Sequence, residues 1–251
     1  MSLPRLIGLR TYVGNVNAAR AFWWRHFELA FAMTAGIGRH RLRDVAWELR
    51  PGGEFCGTRG PHGALPVFAI GDFGRARGYL LTHGIPIVFE EMIPGLSLLI
   101  FLDPDSNPFE LAQETDPDAW DIAQRKALRT KRRRDAPQDE PLSLLGLTEL
   151  TIYTHDITAS VNFYRDLVGL PVGLSYFAHV HLVAENAPVV LRTTRWRCKA
   201  PAQPHGTEPI FSTPDLAALA ARLQEAGFPL QDEEMGFVVR DPAGVKIHFR
   251  A

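Results

Sequence analysis

Residues 8–24, GLRTYVGNVNAARAFWW, return as residues 149–165, ELTIYTHDITASVNFYR. The echo continues on both sides of the chain. Pro61-His62-Gly63 precedes LPVFAIGDF (65–73), and Pro204-His205-Gly206 precedes EPIFSTPDL (208–216). Asp103-Pro104-Asp105-Ser106-Asn107 stands ahead of FEL (109–111), and Asp241-Pro242-Ala243-Gly244-Val245 ahead of IHF (247–249). Self-similarity at this length marks a duplicated scaffold of two halves of roughly 110 residues each. The copies differ in chemistry. Gly8 faces Glu149, Leu65 faces Glu208, and Glu110 faces His248. The second copy therefore collects three ligand-capable side chains at positions where the first has one.

Composition bounds the class. At 46% hydrophobic and 22% charged residues over 251 positions, the chain has an ordinary globular make-up. A net charge of −1 proposes neither a nucleic-acid nor a membrane partner. The two cysteines, Cys56 and Cys198, form neither a metal motif nor a disulfide framework. No run of 18 apolar residues occurs, and the start lacks a secretory pattern, so a cytoplasmic location is the default expectation.

The spacing predicts helices over 17–27, 73–83, 158–168 and 215–226. Gly84, Gly169 and Gly227 stand at C-cap positions and Asp72, Asp156 and Asp215 at N-cap positions. Strands are predicted over 45–49, 96–101, 148–154, 175–183, 189–194, 208–213, 236–240 and 245–250. The result is four strand–helix–strand–strand–strand units. Residues 115–143, with a short helical stretch around 120–128, the basic run Lys131-Arg132-Arg133-Arg134 and a Pro- and acid-rich tail, read as a solvated linker between residues 1–114 and 144–251.

Strand alternation then sorts the side chains. Leu150 and Ile152 share one face of their strand, and Glu149, Thr151 and Tyr153 share the other. Ile247 and Phe249 oppose Lys246, His248 and Arg250. Pro209 and Phe211 oppose Glu208, and His179 and His181 alternate with Val180 and Leu182. Glu149, Glu208, His248, His179, His181 and Tyr153 all fall on the face away from the helices. Arg192 is a further candidate for that lining.

Residues 151–170 (TIYTHDITASVNFYRDLVGL), 101–111 (FLDPDSNPFEL), 211–228 (FSTPDLAALAARLQEAGF) and 240–249 (RDPAGVKIHF) resemble the vicinal oxygen chelate superfamily. Glyoxalase I, bleomycin-resistance proteins and extradiol dioxygenases belong to it. The resemblance implies an α+β fold in which tandem paired βαβββ modules form two cup-shaped half-open barrels. It also implies a divalent metal on the floor of a cup, held by first-strand residues and by the strand after the Asp-Pro turn. Carried onto this chain, those positions are Glu149, Glu208 and His248 in the second half, and Gly8, Glu48, Leu65 and Glu110 in the first. A fourth ligand position falls near Val190, which cannot coordinate. The order Glu, Glu, His departs from the family's His, His, Glu. Val238 also stands where the extradiol signature has a tyrosine.

Two carboxylates and one imidazole suit Fe(II) or Mn(II) foremost, with Mg, Co, Ni and Zn as further candidates. Such an ion would act as a Lewis acid on two adjacent substrate oxygens. His181 and His179 are the candidate acid–base groups, with Tyr153 beside them. The expected function is a metal-dependent enzyme on a small oxygen-rich substrate, dioxygenase-like or isomerase- and lyase-like, working as a monomer or homodimer. The alternative is a non-enzymatic, antibiotic-sequestering type of binding protein. His62 and His205 read as turn residues, Trp23, Trp24, Phe163 and Tyr164 as core, and Cys198 as an ordinary thiol.

Overall fold

Side-chain oxygens start the helices. Asn15 accepts from the amides of Asn17 and Ala18 ahead of α1 (Val16–Phe27), and Asp72 from Arg75 ahead of α2 (Phe73–Thr82). Asp156 accepts from Ala159 ahead of α3 (Ile157–Asn162), and Asp215 from Ala218 ahead of α4 (Leu216–Glu225). Each contact satisfies an amide that the first helical turn leaves open. The helix after α3 widens into a π-helical stretch, Phe163–Val168, and Gly169 closes it with φ 90°. Gly84 and Gly227 follow α2 and α4 in the same left-handed region, as the sequence predicts.

The computed structural model describes residues 3–52, 64–93, 95–114, 139–176, 179–193 and 207–251. Cys56, Cys198, His62, His205 and the basic run 131–134 lie outside them. Module 1 holds β1 (Arg5–Val13), α1, β2 (Ala32–Thr34), β3 (Ile37–Leu42) and β4 (Val45–Pro51). Module 2 holds β5 (Ala64–Ala69), α2, β6 (Ile87–Ile93), β7 (Leu96–Leu102) and β8 (Pro108–Glu114). Module 3 holds β9 (Gly146–Thr154), α3, β10 (Val172–Tyr176), β11 (His179–Leu182) and β12 (Val189–Thr193). Module 4 holds β13 (Thr207–Ser212), α4, β14 (Gln231–Glu233), β15 (Gly236–Arg240) and β16 (Lys246–Arg250). The single strand expected over 175–183 is two antiparallel strands, β10 and β11, in register Ser175↔Val180 and Tyr176↔His179.

Within each module the first strand runs parallel to the last, as β1–β4, β5–β8, β9–β12 and β13–β16. One face carries the helices and the main core, in which Trp23, Trp47, Phe68, Phe101, Phe109, Tyr164, Phe211 and Phe249 are fully buried. Trp23 stacks edge-on against Trp47 and Phe109, at 4.7 and 4.6 Å between ring centroids. Trp24, expected in the core, is 60% exposed. One residue on from Trp23 is about 100° around the helix, which turns its indole away from the sheet.

The modules pair across the halves of the chain. β1 pairs antiparallel with β13, joining modules 1 and 4, and β5 pairs antiparallel with β9, joining modules 2 and 3. A single bridge, Thr207↔Ala64, links the two eight-stranded sheets, and the whole stays open rather than closing into a barrel. Contacts between distant segments accompany this arrangement. Thr11 and Thr207 share a hydroxyl hydrogen bond of 2.8 Å across β1 and β13. Asn186 of module 3 clasps the backbone of Leu6, donating to its carbonyl at 2.8 Å and accepting from its amide at 3.0 Å. Each of the two helix-free faces is therefore built from both halves of the sequence. No helix among the described residues is long and apolar enough to cross a membrane.

Candidate functional site

Strand alternation carries a charged cluster onto the helix-free face of the 1/4 sheet. In β1, Leu9 and Val13 join the main core, so Arg10 and Tyr12 point the other way. In β4, Val45, Trp47 and Leu49 are core and Glu48 and Arg50 oppose them. The same parity puts Glu208 of β13 and His248 and Arg250 of β16 on this face. The Asp-Pro turn holds β16 in place. Asp241 accepts from the Val245 amide at 2.8 Å and from the Tyr164 hydroxyl at 2.8 Å, so the π-helical stretch fixes the turn. Glu233 arrives from the end of β14, next to Gly236, where a Cβ would collide with the Phe249 carbonyl.

His248 is buried between two carboxylates. Its Nε2 lies 2.7 Å from Glu208 Oε2 and its Nδ1 3.0 Å from Glu233 Oε2. Both carboxylates, when ionised, face the ring only as acceptors. Arg10 is 4% exposed and lies against that ring. Its Nη1 is 3.2 Å from each imidazole nitrogen and donates to Glu233 Oε1 at 3.2 Å. Arg10 Nε is 4.0 Å from Glu48 Oε2 and is buried with no hydrogen-bond partner. Arg50 and Arg39 grip Glu48 at 2.8 and 3.1 Å.

The electrostatics follow from these contacts. Burial pushes the Glu233 carboxyl up, but His248 and Arg10 outweigh it and hold the group below the usual carboxylate range. Glu48 shows the same balance, with burial overcome by Arg50 and Arg39. Tyr12, hydrogen-bonded to both Arg10 and Glu208, is raised by burial and then by the Glu208 charge. Four guanidinium groups (Arg10, Arg39, Arg50, Arg250) stand against three carboxylates (Glu48, Glu208, Glu233), which leaves the face cationic.

The 2/3 sheet carries a second cluster with a different composition. Arg192 of β12 donates to Glu110 Oε1 of β8 and to Glu149 Oε1 of β9, each at 3.0 Å. Arg192 also hydrogen-bonds Tyr153. Burial pushes the fully buried Glu110 carboxyl up to about 7 against the pull of Arg192. Its Oε2 and Arg192 Nε have no partner. Burial, then the charge of Glu110, raises Tyr153 above its ordinary range. Leu65, Ile100 and Tyr153 form an apolar patch here, with Val88 and Phe89 against it. His179 pairs in register with Arg192, and burial followed by the Arg192 charge lowers it.

The residues predicted for one site are thus distributed over two faces. Glu208 and His248 come together, whereas Glu149 sits in the other sheet with Arg192, Tyr153, His179 and His181. The physical reason is the strand pairing. β9 and β13 are both neighbours of β5 and not of each other, because module 3 pairs with module 2. The carboxylate that does join Glu208 and His248 from a last strand is Glu48, and Arg10, Tyr12 and Glu233 complete the group. A sequence signal existed for Arg10 and Tyr12. They lie in the repeated stretch itself, on the alternation opposite Leu9 and Val13.

The donor set does not suit a divalent ion in this arrangement. Gly8 supplies no ligand, and a Cβ there would already be 3.1 Å from Ile210 Cδ1 and 3.2 Å from the Ala46 carbonyl. Arg10 instead projects among the acceptors, and arginine does not give up its charge. A dication about 4 Å from that guanidinium would be repelled by roughly 8 kcal/mol, twice the ~4 kcal/mol of a unit pair at an effective dielectric constant near 20. That is about half or more of the ~10–16 kcal/mol a structural zinc site gains. Among the described residues, no three His, Cys, Asp or Glu side chains are grouped to hold a metal. A groove of about 450 Å³ lined by Arg20, Trp24 and Phe31 lies along α1 and shares no residue with either cluster.

Residues 146–249 match the family model for the Glyoxalase/Bleomycin resistance protein/Dioxygenase superfamily. Among solved structures, glyoxalase I from Zea mays aligns with a TM-score of 0.63 at 15% identity, covering 98% of this chain and 92% of that one. A putative dioxygenase from Bacillus subtilis subsp. subtilis str. 168 aligns with a TM-score of 0.63 at 10% identity, covering 99% and 85%. No curated protein matches the sequence. Likeness at such identities establishes fold alone. The fold from end to end is one that glyoxalase I shares, and the segment 146–249 is similar in sequence to the Glyoxalase/Bleomycin resistance protein/Dioxygenase superfamily.

Proposed function

We propose that the helix-free face of the 1/4 sheet binds a small, oxygen-rich anion and transfers a proton on it, in the manner of an isomerase or lyase. The supporting observation is the Glu208–His248–Glu233 array set against Arg10. Glu208, Glu233, Tyr12, Arg50 and Arg250 retain solvent exposure and can meet a ligand, whereas His248 and Arg10 are buried behind them. Arg50, Arg250 and Tyr12 would orient carboxylate or carbonyl oxygens. Glu208 would take a proton from carbon beside a carbonyl, and Arg10 with Tyr12 would offset the charge that develops on the oxygen. On the same reading, residues 1–114 and 144–251 are halves joined by 115–143 that complete both faces together.

The near-complete burial of His248 favours a second reading, a binding protein with no turnover. One experiment separates the two. Exchange of carbon-bound protons into deuterated water, followed by NMR over a panel of 2-oxo and 2-hydroxy acids, should be seen with the parent and lost in Glu208→Gln. Saturable binding without exchange would establish the binding protein. Neither exchange nor binding by any member of the panel would sink the proposal.

A further inference from the structure

We infer that Arg10 is a built-in cation standing where a divalent ion would sit, and that it keeps shut a metal site formed by Glu48, Glu208 and His248. The strand register carries the argument. Arg10 is paired across β1–β4 with Glu48 and across β1–β13 with Glu208, and His248 is paired with Ile210 one step further along β13. All four side chains share one face, with Arg10 on the strand between Glu48 of β4 and Glu208 of β13. His248 Nε2 lies 3.2 Å from Arg10 Nη1 and Glu48 Oε2 4.0 Å from Arg10 Nε. The buried Nε–H has no hydrogen-bond partner. A group placed chiefly to donate hydrogen bonds would not leave a buried donor unmet, whereas one placed for its charge tolerates it.

The 2/3 sheet supplies an internal comparison. The ladder positions equivalent to Arg10, Glu48, Glu208 and His248 are Thr151, Val190, Leu65 and Glu110. Only one of these can bind a metal. Arg192 also neutralises carboxylates, but it stands on β12, off these four positions. The two arginines are alike as buried cations and unlike in what they cover.

The inference uses the same cluster as the proposed acid–base site, but its test needs no substrate, so one can fail without the other. Mn(II) is titrated into the full-length parent, Arg10→Gln, Arg192→Gln and Arg10→Gln combined with His248→Ala, with binding followed calorimetrically and by metal analysis after dialysis. The parent, Arg192→Gln and the double variant are expected to retain none, and Arg10→Gln to retain one ion per chain with a raised Tm. Arg10→Met takes the place of Arg10→Gln if the latter lacks cooperative unfolding. A folded Arg10 variant that binds no ion would overturn the inference, as would a parent that binds one ion as tightly as the variant.

Discussion

Arg10 and Arg192 show how much one side chain decides once it is buried. Each neutralises carboxylates drawn from two modules, and each leaves its Nε unpartnered. Breaking a buried pair by removing one partner strands the other charge, which typically costs about 3–5 kcal/mol. Arg192→Met should therefore lower unfolding free energy by about that amount, because Glu110 is fully buried. Adding Glu110→Gln to Arg192→Met should recover part of the loss, since only the partly exposed Glu149 is then left without its partner. Urea unfolding of the two variants checks this, and a loss within error of zero for Arg192→Met would remove the clamp from the account. Neither arginine stood out in the sequence as strongly as the acids and histidines, because a lone Arg in a strand is usually a solvated edge residue. Only their neighbours make them central.

At the scale of elements, helix starts and strand faces were legible in the sequence. Asp72, Asp156 and Asp215 cap the helices they precede, and Glu208 and His248 stand on the face that alternation assigned. What alternation misses is a change of parity or of path. The irregularity between Leu6 and Gly8 puts both Leu6 and Leu9 in the core, and one apolar run becomes two antiparallel strands, β10 and β11. The contact between α1 and α2 carries a pH dependence. His26 Nδ1 lies 3.1 Å from the Tyr79 hydroxyl, with the His83 ring stacked on Tyr79. Burial, then the charges of His83 and Arg25, lowers His26 from 6.5 to about 4. The unfolded chain takes up this proton near 6.5 and the folded chain only near 4, so stability contributed by neutral His26 is lost as pH falls through that window. His26→Gln should flatten the decline. Thermal melts of parent and variant at several pH values across the window would show it, and an unchanged slope would place the dependence elsewhere.

Over the whole molecule, the pairing of β1 with β13 and of β5 with β9 makes each half dependent on the other. A half on its own would leave one edge of β1 and of β5, or of β9 and of β13, open, and such edges recruit partners. Residues 1–114 and 144–251 produced separately should self-associate or aggregate, and should form a 1:1 complex when produced together. Light scattering on the purified species reads this directly. Two well-behaved monomers that ignore each other would contradict the dependence.

The sequence by itself determined the repeat, the four βαβββ units, the helix caps and the division of each strand into a core face and a polar face. These follow from local rules, namely the periods of helix and strand and the few residues able to cap or turn a chain. Tertiary structure alone decided which modules became neighbours. The four units are alike, so any two present a compatible first strand, and the choice rests on contacts such as Thr11 with Thr207, which lie far apart in the chain. That choice took Glu149 away from Glu208 and His248, gave them Glu48 in its place, and set Arg10 among them.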